Sequence, residues 1–131
     1  MVNKKKVLII GIDPHLIDFS SAEFAAFPGL TAEKVEAGIK GSLQQLNELG
    51  YSAELCWTDF GDTAMNVLQT HLKKESFDGV VIGAGIRVPG KNFLLFEKMI
   101  NQIHEHAPKS RICFNTNPQD TIPAVQRWIN N

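Results

Sequence analysis

The sequence predicts an α/β fold, a three-layer α/β/α sandwich built around a four-stranded parallel sheet. Three observations predict this class. Short apolar runs alternate four times with segments whose apolar residues recur at helical spacing, and such alternation is typical of parallel sheets with right-handed crossovers. Two of the apolar runs are continuous and two alternate with polar residues, as central and edge strands do. The length of 131 residues fits a single domain over residues 1–131.

The first unit of this alternation consists of a strand, a long loop and a helix. We expect the strand over residues 6–13 and the loop over residues 14–30. Thr31 has a side chain suited to cap the amino end of the helix, and Gly50 ends it. The apolar residues between them recur every three or four positions: Val35, Ile39, Leu43, Leu46 and Leu49.

The second and third units repeat this pattern. The second strand is expected over residues 51–59, and Asp62 is the expected cap of the helix that follows it. The third strand, over residues 79–86, is apolar almost throughout. The turn at Pro89-Gly90 leads into a third helix.

The fourth strand is expected over residues 111–115, and Asp120 is the expected cap of a short last helix. Strand patterning then predicts the strand order. Strands one and three are continuous apolar runs, which are typical of strands buried on both faces, whereas strands two and four alternate. The order 2-1-3-4 places one and three in the centre. The alternative order, 3-2-1-4, leaves the apolar third strand at an edge.

Composition excludes several classes of function. The chain has 13 basic and 14 acidic side chains, a net charge of -1, so it lacks the basic stripe that nucleic-acid binding requires. No apolar run approaches the roughly 20 residues of a membrane helix.

Cys56 and Cys113 lie in predicted strands without a Cys-x-x-Cys motif, which indicates reduced thiols and a cytoplasmic location. His104 and His106 are two apart on a helix and face different directions, so we expect no metal site.

The predicted strand order places a ligand site at one edge of the sheet. The winding direction reverses between strands one and three, and ligands of open α/β sheets bind at the carboxyl ends of such strands. Gly83 and Gly85 would let a ligand approach the backbone, and Arg87 would supply a charged fork for a carboxylate or phosphate. In the alternative interpretation the glycines only form a tight turn, and Arg87 pairs with Asp13 or Asp59.

Two further pairs of residues follow strands one and four. Asp13 and His15 could form an acid/base pair, and they are the catalytic candidates. Alternatively, Asp13 caps a loop and His15 is simply exposed. Asn115 and Asn117 could orient a ligand, or their side chains could hydrogen-bond the backbone of a turn.

The loop over residues 14–30 is longer than most strand-to-helix connections and carries Phe19, Phe24 and Phe27. Three interpretations remain open for it. It forms a lid over the site, it packs over an edge of the core, or its phenylalanines bind a second subunit.

Short βα units with polar residues at the strand ends resemble flavodoxin-like proteins and response-regulator receivers along the whole chain. The resemblance implies the fold. Receivers have paired acids after strand one and a phosphorylated Asp after strand three, whereas here Asp13 is followed by Pro14 and strand three ends in Gly-Ala-Gly. The phosphate loop of flavodoxins is replaced by acidic and bulky residues over 13–18. The resemblance therefore implies neither receiver chemistry nor flavin binding.

The leading hypothesis from the sequence is a domain that binds a small anionic molecule at the ends of strands one and three. Whether it is an enzyme is left open, and no motif identifies a cofactor. The alternative is a non-catalytic, receiver-like interaction module that pairs with another chain, including a second copy of itself.

Overall fold

A computed structural model of the protein describes residues 4–130 and shows the predicted sheet. Its strands are β1 (Lys6–Ile12), β2 (Ser52–Thr58), β3 (Gly79–Ile82) and β4 (Arg111–Phe114). Each neighbouring pair is parallel, and the order is β2-β1-β3-β4. The predicted strand order is therefore confirmed, and 3-2-1-4 is excluded. This topology is compatible with a flavodoxin-like arrangement.

The helices of the described residues follow the strands in alternation. They are α1 (Ala32–Glu48), α2 (Ala64–Lys74), α3 (Ala84–Arg87), α4 (Phe93–His106) and α5 (Thr121–Gln126). Short 3-10 turns lie between them: Pro14–Leu16, Ala22–Phe24, Gly90–Asn92 and Pro118–Asp120. None of these helices is both long enough and apolar enough to cross a membrane.

The helices pack on both faces of the sheet, which confirms the sandwich. Because side chains alternate along β1, Val7 and Ile9 enter one core while Leu8 and Ile10 enter the other. The first core is completed by α1 and α5, and the second by α2, α3 and α4. These are the two apolar layers that hold the molecule together.

The third strand is shorter than predicted. It ends at Ile82, whereas the apolar pattern indicated residues 79–86. At Gly83 the backbone leaves the sheet, and the amide groups of Ile86 and Arg87 donate to the Gly83 carbonyl to form α3. Ile86 is fully buried, but it belongs to α3. Its apolar side chain made the apolar run of the strand look longer than the strand is. The prediction of a strand to residue 86 was wrong.

The helix caps differ from the predictions in two places. Thr31 caps α1 as expected, and its Oγ1 accepts from the Lys34 amide at 3.2 Å. Asp62 does not cap α2, because the Asp59 carboxylate accepts from the amide groups at the start of that helix instead. Asp120 precedes α5 but caps the 3-10 turn before it, since its carboxylate accepts from the amide groups of Thr116 and Asn117.

Both edges of the sheet carry a side chain that binds the outward-facing backbone. At β2 the Asn47 side-chain amide accepts from the Ala53 amide at 3.0 Å and donates to the Ala53 carbonyl at 3.3 Å. At β4 the Arg127 guanidinium donates to the Phe114 carbonyl at 2.8 Å. We call these side chains the edge caps.

Candidate functional site

The carboxyl ends of β1, β3 and β4 lie side by side, as the strand order requires. Ile82 is opposite Ile10 on one side and Phe114 on the other. The Gly83 amide continues the pairing by donating to the Ile10 carbonyl at 3.0 Å. The residues that follow the three strands therefore share one edge of the sheet, which we call the carboxyl edge.

Asp13 forms a cap at this edge. Its amide donates to the Thr58 carbonyl at 2.9 Å, and its carboxylate accepts from the His15 amide at 3.0 Å. Buried Pro14 begins the 3-10 turn between them, because its fixed φ suits a first helical position. The carboxylate of Asp13 thus binds the backbone of His15 and not its imidazole.

The His15 side chain points to α1 instead. Its Nε2 lies 3.5 Å from Glu36 Oε2, and the side chain is about half exposed. The pKa of Glu36 is held below its usual value, chiefly by the hydrogen bond to Lys40 and then by that to His15. Asp13 and His15 are brought together in the chain turn, but their two functional groups do not form an acid/base pair in this arrangement.

Gly83 and Gly85 have different surroundings at the start of α3. A Cβ added at Gly83 would lie 3.1 Å from the Ile10 carbonyl oxygen, whereas one added at Gly85 would meet nothing within 4 Å. Close packing against β1 accounts for Gly83. The open space at Gly85 leaves room beside the backbone at the carboxyl edge.

Asn115 is buried and joins three elements. Its Oδ1 accepts from the Ala84 amide at 2.8 Å, and its Nδ2 donates to Thr121 Oγ1 at 2.9 Å. Its backbone carbonyl accepts from the Arg87 guanidinium. Asn115 therefore links β4 to the start of α3 and of α5, and its side-chain amide is occupied by the protein itself.

Asn117 is exposed and belongs to a turn. Its Oδ1 accepts from the Gln119 amide at 2.8 Å, and its own amide donates to Asp120. This reciprocal pair is a capping box, which satisfies the amide groups at the start of the 3-10 turn. The two asparagines thus lie at the carboxyl edge with local hydrogen bonds, as the turn interpretation describes.

Arg87 is a cation of this edge, and no carboxylate of the described residues forms an ion pair with it. Its guanidinium carbon lies 5.2 Å from the centre of the Phe114 ring, and one terminal nitrogen donates to the Asn115 carbonyl. Its Nε is buried and has no hydrogen-bond partner within residues 4–130. The expected alternatives, ion pairs with Asp13 or Asp59, do not form.

Two carboxylates in the segments after β1 and β2 are engaged in turns of their own. Hydrogen bonds from the Gly61 amide and then from the Thr63 hydroxyl lower the pKa of Asp59. Bonds from the hydroxyl and the amide of Ser20 lower the pKa of Asp18. These acids keep their charge, and none of them neutralises Arg87.

The sequence did not indicate two residues that shape this edge. Asn92 is buried, and its side-chain amide donates to the Gly85 carbonyl at 3.1 Å. The Phe114 ring supports the guanidinium of Arg87. The position of Asn92 directly before an amphipathic helix was the one signal that the sequence offered for it. Nothing in an alternating strand indicates the role of Phe114.

The loop over residues 14–30 is attached to the connection between α3 and α4. Lys91 Nζ lies 2.8 Å from Glu23 Oε1, and it also lies 5.4 Å from the centre of the Phe60 ring. Within the loop the rings of Phe19 and Phe24 are 5.0 Å apart. The loop therefore has contacts of its own and reaches across to the residues after Arg87.

Two open depressions of the surface lie away from the carboxyl edge. One, of about 340 Å³, lies at the amino ends of the strands and includes Arg111 and Trp128. The other, of about 370 Å³, lies between α2 and α4 and includes Met65 and Gln102. Within residues 4–130 no group of three or more His, Cys, Asp and Glu side chains is placed to hold a metal ion.

The geometry can be set against known proteins. No protein-family model matches the chain, and no curated protein matches it.

Proposed function

We propose that this chain binds a small anionic ligand at the carboxyl ends of β1 and β3, and that Arg87 is the group that holds the anion. One observation supports the proposal above all. Arg87 is partly buried, and no carboxylate of residues 4–130 compensates its charge. A partly buried charge without a counter-charge is unfavourable, so a bound anion would stabilise this arrangement.

The surroundings of Arg87 assign different roles to the other candidates. Asn115 positions the guanidinium through its carbonyl and leaves no free amide for a ligand. Gly85 leaves space beside α3 for the ligand. His15 is exposed and supplies a group that can donate or accept a proton, while Asp13 fixes the turn that carries it. The proposal concerns binding and names no reaction.

A thermal-shift experiment tests the proposal. The natural chain and the Arg87→Ala variant are melted with inorganic phosphate, nucleoside phosphates and small carboxylates. A ligand at about 100 times its Kd stabilises the native state by roughly 2.7 kcal/mol, which is a clear rise in Tm. We expect at least one anion to raise the Tm of the natural chain and not that of Arg87→Ala.

Lys73→Ala is the matched control, because Lys73 is an exposed cation at the end of α2, away from this edge. It should keep the full shift. If Arg87→Ala keeps the shift with every anion that gives one, Arg87 does not hold an anion. If Arg87→Ala melts earlier and no anion shifts either protein, Arg87 is structural.

A second candidate function is supported by a separate observation. Several large apolar side chains are more than half exposed, among them Phe27, Val88, Phe93 and Leu94. Exposed apolar groups that are close in sequence, as the last three are, mark interaction surfaces. On this alternative the chain is an interaction module. Light scattering of the natural chain and of Phe93→Asp distinguishes the two, since a strict monomer at high concentration argues against self-association.

A further inference from the structure

The depression at the amino ends of the strands is a concave part of the surface that several charged side chains line. It lies at the opposite edge of the sheet from Arg87, and its volume of about 340 Å³ is in the range of small-molecule sites. The starts of β1, β3 and β4 and the residues after α5 form its walls. Its lining is Lys5, Asp78, Lys109, Arg111, Trp128, Ile129 and Asn130.

The charge of this depression is unbalanced. Three of the lining side chains are cations, Lys5, Lys109 and Arg111, and none of them forms an ion pair within residues 4–130. The single carboxylate, that of Asp78, already accepts a hydrogen bond from the Lys6 amide at 2.8 Å. Three cations and one carboxylate line the depression, so an anion bound there would meet a net positive charge.

The ends of the neighbouring helices do not account for these cations. The carboxyl ends of α2 and α4 lie at this same edge and attract positive charge. However, both helices carry basic residues in their own last turns: His71, Lys73 and Lys74 in α2, His104 and His106 in α4. Lys5, Lys109 and Arg111 are additional to these, and they sit before or at the start of strands.

Trp128 is an exposed residue of the lining, next to a residue that is firmly packed. Its side chain is 56% exposed, whereas the next residue, Ile129, is 5% exposed. Ile129 fills the space above Gly79, where an added Cβ would lie 1.9 Å from its Cδ1, and its carbonyl accepts from the Tyr51 hydroxyl at 2.8 Å. The backbone beside Trp128 is thus anchored, and Trp128 lines the same depression as the three cations.

We propose that this depression binds a phosphorylated small molecule with a planar ring. The phosphate lies against Lys5, Lys109 and Arg111, since a guanidinium matches phosphate oxygens with two parallel hydrogen bonds. The ring lies against the indole of Trp128. The site is independent of Arg87 and of the ligand proposed for the carboxyl edge.

Tryptophan fluorescence tests the inference directly. The Trp57→Phe variant leaves Trp128 as the reporter, and it is titrated with adenosine monophosphate, inorganic phosphate and adenosine. We expect adenosine monophosphate to quench the emission to saturation. Inorganic phosphate should compete with it, and adenosine should bind about tenfold or more weakly because it lacks the charge. Calorimetry on the Arg87→Ala variant, in which the carboxyl-edge site is removed, gives the same affinity without a fluorescence variant.

Charge variants locate the site. The double variant Lys109→Ala, Arg111→Ala should lower the affinity for adenosine monophosphate at least tenfold, since two charge-assisted contacts are lost. The matched control is Lys73→Ala with Lys74→Ala, which removes two cations at the same edge but outside the depression and should leave the affinity unchanged. The Lys109→Ala, Arg111→Ala variant should keep any Tm rise that small carboxylates give through Arg87, which separates this site from the one at the carboxyl edge.

Two outcomes would overturn the inference. Equal affinity in both double variants would mean that the phosphate binds by general attraction to the basic edge. A lowered Tm of the unliganded Lys109→Ala, Arg111→Ala variant, with unaltered affinity for adenosine monophosphate, would show that these cations serve stability alone.

Discussion

Asn115 shows how a single buried amide can organise the end of a sheet. A buried polar side chain is stable only when its donors and acceptors are paired. Both functions of this side chain are paired, one with the backbone of α3 and one with Thr121 at the start of α5. The sequence indicated that Asn115 lies at the carboxyl edge, but side-chain orientation depends on helices that are remote in sequence. That is why ligand and turn interpretations could not be separated beforehand.

Asn115→Ala should therefore destabilise the protein by about 2–3 kcal/mol, because two partners lose a buried hydrogen bond. Urea unfolding measures this loss. Asn117→Ala is the control, and it should cost only about 1 kcal/mol, since its cap is exposed to water. Equal losses would contradict the junction role of Asn115.

Asp59 gives a pH-dependent prediction at the same scale. Its pKa in the folded protein lies below the usual value of 3.8, so the carboxylate stabilises the fold above its unfolded pKa. That contribution is lost as the pH falls through the folded-state pKa. Asp59→Asn should lower the urea midpoint at neutral pH, and the difference should shrink as the pH falls below about 4.

Asp62→Asn is the matched control for Asp59→Asn, because Asp62 is exposed at the same turn and was the cap expected from the sequence. The urea midpoint of Asp62→Asn at neutral pH should match that of the natural chain. A larger effect at Asp62 than at Asp59 would mean that the cap of α2 has been assigned to the wrong carboxylate.

At the scale of elements, the turn from β3 into α3 decides what surrounds Arg87. The helix is four residues long, and it begins directly where the strand ends. The sequence predicted the strand, the turn and the later helix. It did not predict α3, because Ile86 continues the apolar run of β3 and two glycines do not favour a helix.

The two glycines of this turn should respond to alanine in opposite ways. Gly85 has open space at its Cβ position and no positive φ, so Gly85→Ala should raise the stability by roughly 0.5–1 kcal/mol. Gly83→Ala should lower it by about 1 kcal/mol or more, because the new methyl group presses on the Ile10 carbonyl. Thermal unfolding of both variants checks the signs. A loss at Gly85 would show that its space is already needed by the protein.

At the scale of the whole molecule, the apolar pattern of the strands was the strongest signal in the sequence. Strands one and three are apolar on both faces, and each lies between two neighbours with helices on either side. Burial on two faces requires that pattern, which is why the strand order could be predicted. The depression beside Trp128 could not be predicted from the sequence, since it depends on how the residues after α5 return to the start of β3.

The two cysteines belong to this buried sheet. Burial raises the pKa of Cys56 to about 12 and that of Cys113 to about 11, so both remain protonated thiols at neutral pH. The thiolate is the reactive form. We expect both to resist a thiol reagent in the native protein and to react at the rate of unfolding, which stopped-flow labelling in urea would measure. Fast labelling under native conditions would contradict the burial of either strand.

The edge caps have a consequence for how copies of this chain meet. An uncovered edge strand is a template onto which another strand can add, and such addition propagates as a polymer grows. Here Asn47 occupies both backbone groups of Ala53 at one edge, and Arg127 occupies the Phe114 carbonyl at the other. An incoming strand would have to displace these side chains before it could pair along the full length of either edge. In the language of polymer chemistry, the two edge strands are the positions where chain growth would begin, and each of them carries one blocked site.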